Sequence, residues 1–270
     1  MTSTFSIGAQ HSEPISITAL EFDVLWEHLE LGPPPLVVRV PSPGKTHSER
    51  ARLTQRAWAD LANRGLGRPV DPHPDLTDML QLLAKPLREV DGRVYVGGGA
   101  RLLAAAVEER AVLVVLRGNQ LTLRRIEASG LPSAALEVLP PGKPGPGLSV
   151  TLRTEDFEAA AKAAEGKRDG FAAALQARGV RADDAKVLGE MIGDVTSTGN
   201  FGAAARDKLG RRRRADRVVA FFDTEGGRYM QVRRPAVDGS LWSTISPADL
   251  RKLSFHLDEL LTEVVEQAGG

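Results

Sequence analysis

The chain has 270 residues, 42% apolar and 26% charged, with a formal net charge of +0 and no cysteine. That composition is ordinary for a globular protein, long enough to bury about three quarters of its unfolded surface. It excludes disulfides, thiolate catalysis and cysteine-ligated metals, gives no global basic field for nucleic acid, and holds no apolar run near the ~20 residues that a bilayer helix needs.

Residues 1–14 read as a flexible polar leader without the basic-then-apolar pattern of a secretion signal. Ile15 and Ile17 alternate as a short strand. Thr18-x-x-Glu21 is a capping box opening a helix whose apolar face is Phe22, Leu25, Trp26 and Leu29. After Gly32 and three prolines, Leu36 to Val40 reads as a strand. A second capping box, Thr46-x-x-Glu49, starts a helix that buries Leu53, Ala57, Trp58 and Leu61 and stops at Gly65. Leu76, Met79, Leu80 and Leu83 mark a third helix, ended by Pro86. Strands follow near Val94–Gly98 and Arg101–Val107, then a hairpin over 111–126 and a short helix from Pro132 to Leu139.

Pro140 to Gly147, PPGKPGPG, is a linker by composition, and after it the order restarts. Val150 and Leu152 form a strand, and Thr154 caps a helix with Phe157, Ala160, Ala161 and Ala164 on one face. The next helix ends Leu175-Gln-Ala-Arg-Gly-Val180, matching Leu61-Ala-Asn-Arg-Gly-Leu66 position by position. Leu188, Met191, Ile192 and Val195 mark a third helix, and a strand near Phe201–Arg206 leads to a hairpin over 216–234. That hairpin has an apolar strand, Val218–Phe222, expected to be central, and a return strand with a wetter face. After a strand at Leu241–Ile245, Ser246 is expected to cap a long closing helix, with Pro247 at its first position and Asp249 favouring its dipole.

The pattern predicts an α+β fold: two structural repeats, 15–139 and 148–266, joined by the linker 140–147, sharing one central antiparallel sheet about a pseudo-two-fold axis. The hairpins 111–126 and 216–234 would then be equivalent, and Arg124, Arg125, Arg233 and Arg234 would line one region of the sheet.

No catalytic constellation emerges. Gly44-Lys45-Thr46 stands where a phosphate-binding loop belongs and Asp223 ends a hydrophobic strand, as a magnesium-binding aspartate would. Yet the first glycine of that motif is replaced by Arg39, and Pro41 and Pro43 remove backbone donors. The five histidines are scattered without metal-binding spacing. Arg211 to Arg214 reads as a solvated loop or as a clamp for phosphate or an acidic protein patch. A protein-binding module is what remains. Nucleotide binding through Lys45 and Asp223, or nucleic-acid binding through the arginine run, are the alternatives.

Several segments together resemble one family. They are Ile17-Thr-Ala-Leu-Glu-Phe-Asp-Val-Leu-Trp-Glu-His-Leu, the Thr46-His-Ser-Glu-Arg-Ala-Arg-Leu helix with Trp58, and Phe201-Gly-Ala-Ala, Phe222-Asp-Thr-x-x-Gly-Arg-Tyr and Ser246-Pro-Ala-Asp. In order and spacing, from about Ile15 to Val265, they are similar to the ESX secretion-associated protein EspG family of type VII secretion. The resemblance implies a non-enzymatic cytoplasmic chaperone without cofactor, catalytic residues or metal, built as a central antiparallel sheet flanked by two helical bundles. It implies a PE–PPE-like heterodimer, or another helical-hairpin secretion substrate, as partner, bound at the PPE tip. It implies neither nucleic-acid binding nor membrane insertion, and a monomer or weak dimer when free. On the residues themselves, the expected partner surface is Arg124, Arg125, Tyr229, Gln231, Arg233, Arg234 and Trp242 with the closing helix, because the return strand is wet and rim arginines pair with acidic groups.

Overall fold

The computed structural model describes residues 13–164 and 168–269; all but the last two positions of the expected leader lie outside them. The first half runs β1 (Ile15–Thr18), α1 (Ala19–His28), α2 (His47–Asn63), a small hairpin of β2 (Gly67–Arg68) and β3 (Asp71–Pro72), and α3 (Pro74–Ala84). Four strands follow, β4 (Arg88–Tyr95), β5 (Gly99–Val107), β6 (Arg110–Arg117) and β7 (Gln120–Glu127), then α4 (Leu131–Leu136). The second half runs β8 (Val150–Arg153), α5 (Thr154–Ala164), α6 (Arg168–Ala177), α7 (Ala182–Met191), β9 (Ser197–Arg206) and β10 (Arg212–Arg214). It closes with β11 (Val219–Thr224), β12 (Gly227–Pro235), β13 (Leu241–Pro247) and α8 (Leu250–Gly269).

All strands but β2 and β3 join one sheet, ordered β1-β7-β6-β5-β4-β9-β11-β12-β13-β8, with β10 beside the end of β9. Its ladders are antiparallel, and the halves meet at β4–β9, registered from Arg88↔Ala205 to Tyr95↔Thr198. On one face, Val90, Leu102, Phe201, Val219 and Met230 form a single core beneath α4 and α8. On the other face there are two cores. Leu103, Val112, Val114 and Leu123 pack under α1–α3, and Val150, Leu152, Tyr229 and Ile245 pack under α5–α7. The alternation of side chains along each strand assigns every residue to one face or the other.

Local signals formed as their chemistry dictates. Both capping boxes are present, Thr18 with Glu21 and Thr46 with Glu49. The matched helix ends adopt the same closure: Leu66 donates to the Leu61 carbonyl at 2.9 Å and Val180 to that of Leu175 at 3.1 Å. Gly65 and Gly179 sit between them at φ +71° and +86°, a conformation that favours glycine. The preceding arginines make parallel ion pairs, Arg64 to Glu21 of α1 at 2.5 Å and Arg178 to Asp156 of α5 at 2.7 Å.

Four expectations are corrected. Leu36–Val38 is a 3₁₀ turn rather than a strand, because prolines on both sides cannot donate to a ladder. α7 stops at Met191, leaving Val195 exposed as the chain turns into β9. Ser246 and Pro247 stay in β13, and Asp249 caps α8 by accepting from the Lys252 amide at 2.8 Å. Thr154 opens α5 but its hydroxyl pairs with Ser243 at 2.9 Å. The hairpin equivalence also shifts by one strand. β7 lies beside the edge strand β1 as β13 lies beside β8, so β12 matches β6 in order and not β7.

The Pro/Gly segment 140–147 is held down on the sheet. The Arg228 amide donates to the Lys143 carbonyl at 2.9 Å and the Gly145 amide to the Arg228 carbonyl at 3.0 Å. The Tyr229 hydroxyl donates to the Pro146 carbonyl at 3.1 Å. Gly145 has no alternative residue, since a Cβ there would stand 2.1 Å from the Tyr229 ring. Arg228, 1% exposed, donates to both Asp223 oxygens at 2.7 and 2.9 Å and to the Pro140 carbonyl at 3.0 Å. Removing one partner strands a buried charge, so Asp223→Ala is expected to lower unfolding free energy by about 3 kcal/mol. The double variant Asp223→Ala/Arg228→Met should lose less than that, and urea denaturation of the two checks the order.

Candidate partner-binding site

Neighbouring residues on a strand point to opposite faces, and this decides what the expected site arginines do. Arg124 turns to the α4 side and pairs with Glu137. Arg125 turns to the bundle side and pairs with Asp75 and Asp78 of α3 at 3.1 and 2.8 Å. Arg233 reaches Glu158 of α5 at 2.9 Å and Arg234 reaches Glu259 of α8 at 2.6 Å. The four therefore do not line one region. Each tethers a helical segment to the sheet, and β7 and β12 stand far apart in the strand order.

Of the other expected site residues, Tyr229 is 1% exposed and stacked on Phe222 with centroids 5.2 Å apart, so it is core. Gln231 donates to the Ser243 hydroxyl at 3.0 Å, beneath the second bundle. Trp242 is accessible at 36%, with Arg153 5.9 Å above its ring and its indole N–H on the Ser240 hydroxyl at 3.0 Å. It belongs to an open strip of the α4/α8 face, where Thr151 and Thr244 pair through their hydroxyls at 2.9 Å. The end of the β12–β13 hairpin beside it exposes Val237 and Leu241.

On the opposite face, a cleft of about 440 Å³ opens over the middle of the sheet. Its floor is Glu89, Asp91 and Arg93 of β4, and the Pro33–Pro35 loop with Leu36, 72% exposed, forms one wall. The arginine run closes the other side. It is a strand rather than a solvated loop: Arg212–Arg214 pair with Ala204–Arg206 of β9. Arg212 donates to Glu89 at 2.5 Å, Arg214 holds Asp91, and Arg211 and Arg213 share Asp207 at 2.9 and 3.9 Å. Gly202 lets the Arg214 guanidinium lie flat on the sheet, since a Cβ there would be 2.3 Å from its terminal nitrogen. Asp91 pushes the Arg214 guanidinium pKa further up. With all four guanidinia already facing carboxylates, the run is not a free phosphate clamp.

The strand expected near Val94–Gly98 lies earlier, as β4 over Arg88–Tyr95, and its charged half was missed. Val90, Gly92 and Val94 alternate with Glu89, Asp91 and Arg93, a period of two that its charge obscured.

The nucleotide residues do not converge. The Lys45 amide donates to Glu49 at 3.0 Å as part of the α2 cap, while Asp223 serves Arg228 on β11 in the other half. Among the described residues no group of three or more His, Asp or Glu gathers to hold a metal, and no helix is long and apolar enough to cross a membrane.

A wide sheet with helices on both faces, offering an open cleft and exposed apolar side chains at strand ends, defines a binding scaffold. The chain belongs to the EspG family, whose model matches residues 18–259. It is 26% identical over 197 residues to ESX-1 secretion-associated protein EspG1 of Mycobacterium tuberculosis (strain ATCC 25618 / H37Rv). That match takes in 71% of this chain and 66% of the relative, so the chain spans just under two thirds of the relative's length. The fold is shared with EspG5 of Mycobacterium tuberculosis, a type VII secretion system chaperone solved in complex with a PE25–PPE41 dimer. The TM-score is 0.73 at 16% identity, over 93% of this chain and 96% of that one.

Two outcomes are expected. Arg234 donates to Glu259 and holds its carboxyl below the ordinary value of 4.5. A depressed carboxylate stabilises the fold above its unfolded pKa and ceases to as pH falls through the folded one. The stability difference between wild type and Arg234→Gln should thus be present at neutral pH and shrink as pH falls below the ordinary carboxylate range in urea titrations. Mg-ATP should leave the melting temperature unchanged; a shift abolished by Lys45→Ala would reinstate the nucleotide reading.

Proposed function

We propose that this protein is a cytoplasmic, substrate-specific chaperone of type VII secretion. It binds a PE–PPE-like heterodimer at the PPE tip, keeps it soluble and directs it to the secretion machine. It carries no cofactor and no catalysis. The observation that carries this reading is the family match over 18–259, which takes in the sheet, both bundles and half of α8. The likeness to a chaperone solved with its PE–PPE dimer supports it.

The physical argument concerns aggregation. A helical hairpin that ends in an apolar tip is a liability in water, and a preformed surface that covers it removes that liability without turnover. Such a surface needs accessible apolar and aromatic side chains more than free charges. We place it on the open strip beside α8, with Trp242 as aromatic anchor, Leu241 and Val237 at the hairpin end, and Arg153 and Arg234 as partly exposed charges at the rim; Arg233 leaves the set because it turns to α5 on the other face. Tyr229 leaves the set because it is buried, and Gln231 because it lies half-buried on the bundle face with its amide on Ser243. Arg124 and Arg125 leave it because they lie at the far side of the sheet. The same reading takes 15–139 and 148–266 as two copies of one unit, supported by the recurring strand order and the Arg64–Glu21 and Arg178–Asp156 pairs.

Co-expression with a PE–PPE-type pair encoded beside it, followed by size-exclusion chromatography with mass determination, tests the reading. A stoichiometric complex, with the partner insoluble when this chain is absent, is the expected result. Trp242→Ala combined with Leu241→Asp should weaken that complex about tenfold or more while leaving the melt unchanged. A chain that elutes alone beside insoluble partners from every PE–PPE pair of its own genome would overturn it.

A further inference from the structure

The turn between β9 and β10 is built as a rigid tip. The Gly210 amide donates to the Asp207 carbonyl at 2.8 Å, which leaves Lys208 and Leu209 as the central residues of a tight turn. The Asp207 carboxylate accepts from the Leu209 and Arg211 amides at 2.9 and 2.8 Å. Arg206 ties the turn to the segment that leads into β4, donating to the Gly210 carbonyl at 2.8 Å and to the Pro86 carbonyl at 3.1 Å. Its amide donates to the Leu87 carbonyl at 2.9 Å. Leu87 and Leu209 are thereby held at one end of the sheet, 43% and 76% exposed. At the opposite end the hairpin tips are Gly97-Gly98, Gly118-Asn119 and Glu225-Gly226.

The charges around these leucines select an anionic occupant. Lys85 and Lys208 are exposed and take part in no ion pair among the described residues. Arg211 and Arg213 share the single carboxylate of Asp207, so one of their positive charges is left over. Apolar side chains among free cations suit a surface that is negative on top and apolar beneath: leucine enters the acyl boundary while the ammonium groups stay with the headgroups. The convex shape argues the same way. Leu209 stands at an apex with little protein around it, and a folded partner would need walls to bury it. A lipid interface is fluid and needs no complementary shape. On the first-half side, the turn between β5 and β6 carries Glu108 and Glu109, with Arg88 on the Glu108 carbonyl at 3.3 Å, so the contact is centred on Leu209.

We propose that the β9–β10 turn, with Leu209 at its apex and Lys208, Lys85 and Leu87 around it, is a peripheral docking point for an anionic lipid surface. The tip rests on that surface and does not cross it. With so few cations and two leucines the contact is weak, reversible and sensitive to salt. It shares no residue with the partner surface placed above, so the two can fail separately.

Co-sedimentation of the full chain with vesicles tests it. The chain should pellet with phosphatidylcholine vesicles that contain about 30% phosphatidylglycerol, and not with phosphatidylcholine alone. Pelleting should be present at about 0.05 M salt and lost by about 0.5 M. Leu209→Ser should lower the partition coefficient about fivefold or more, and Lys85→Glu combined with Lys208→Glu about tenfold or more. Leu36→Ser removes a leucine of similar exposure from the cleft wall and should change nothing. The altered side chains are exposed, so an unchanged melting temperature confirms that the variants fold. Soluble poly-L-glutamate stands in for an acidic protein. Failure to pellet with the anionic vesicles, pelleting indifferent to Leu209 and the lysines, or binding to polyglutamate without binding to vesicles would each overturn the proposal.

Discussion

The ladder between β4 and β9 is the constraint on which the rest of the molecule depends. It joins strands that are distant in sequence, from Arg88↔Ala205 to Tyr95↔Thr198, and makes two half-sheets into one. On the α4/α8 side the two helices meet over this seam and one core runs beneath them. On the other side each bundle covers only its own half, so the middle of the sheet stays open. The floor residues there are accordingly charged, and Glu89 is nevertheless nearly covered. A carboxylate in that position requires a partner, which explains why the chain returns along β9 with Arg212 and Arg214 before it enters β11.

The charge balance of 35 basic and 35 acidic residues has a structural counterpart. Arg125 holds α3, Arg233 holds α5, Arg234 holds α8, and Arg64 and Arg178 fix α1 and α5 against the helix ends that follow them. Partly exposed pairs of this kind add little stability one by one. Their geometry fixes where each bundle sits on the sheet. Arginines engaged in this way are poor candidates for collecting an anionic ligand. Recognition then falls to exposed apolar and aromatic groups, among them Trp242, Leu241, Val237, Leu36 and Phe255.

The segment 140–147 shows how the halves are kept in step. Its prolines and glycines read as slack chain, yet the side chains of Arg228, itself held by Asp223, and Tyr229 bond two of its carbonyls, and two main-chain bonds to Arg228 complete the attachment. A flexible connection would let the bundles move independently; this one is packed against the strand that carries the second core. A scaffold that offers its partner a preformed surface gains affinity by such rigidity, because less ordering is required on binding.

Much of this protein was legible in the sequence. The capping boxes at Thr18 and Thr46, the helix faces, the closure at Gly65 and Gly179, the central position of Val219–Phe222 and the family's pattern all depend on residues near each other in the chain, where side-chain chemistry and backbone geometry settle the outcome. What depended on distant neighbours was not. The sequence places Arg124 beside Arg125 and Arg233 beside Arg234, and only the strands they occupy send members of each pair to opposite faces and to different helices. The run Arg211–Arg214 looks solvated until Glu89 and Asp91, more than a hundred residues away, are brought beneath it. Tyr229 looks like the wet side of a hairpin until α5–α7 cover it. Local sequence determined which elements form and where they end. The register of the sheet and the packing of helices on its two faces decided which charges are neutralised and which apolar groups remain exposed, because burial and ion pairing are properties of neighbours in space.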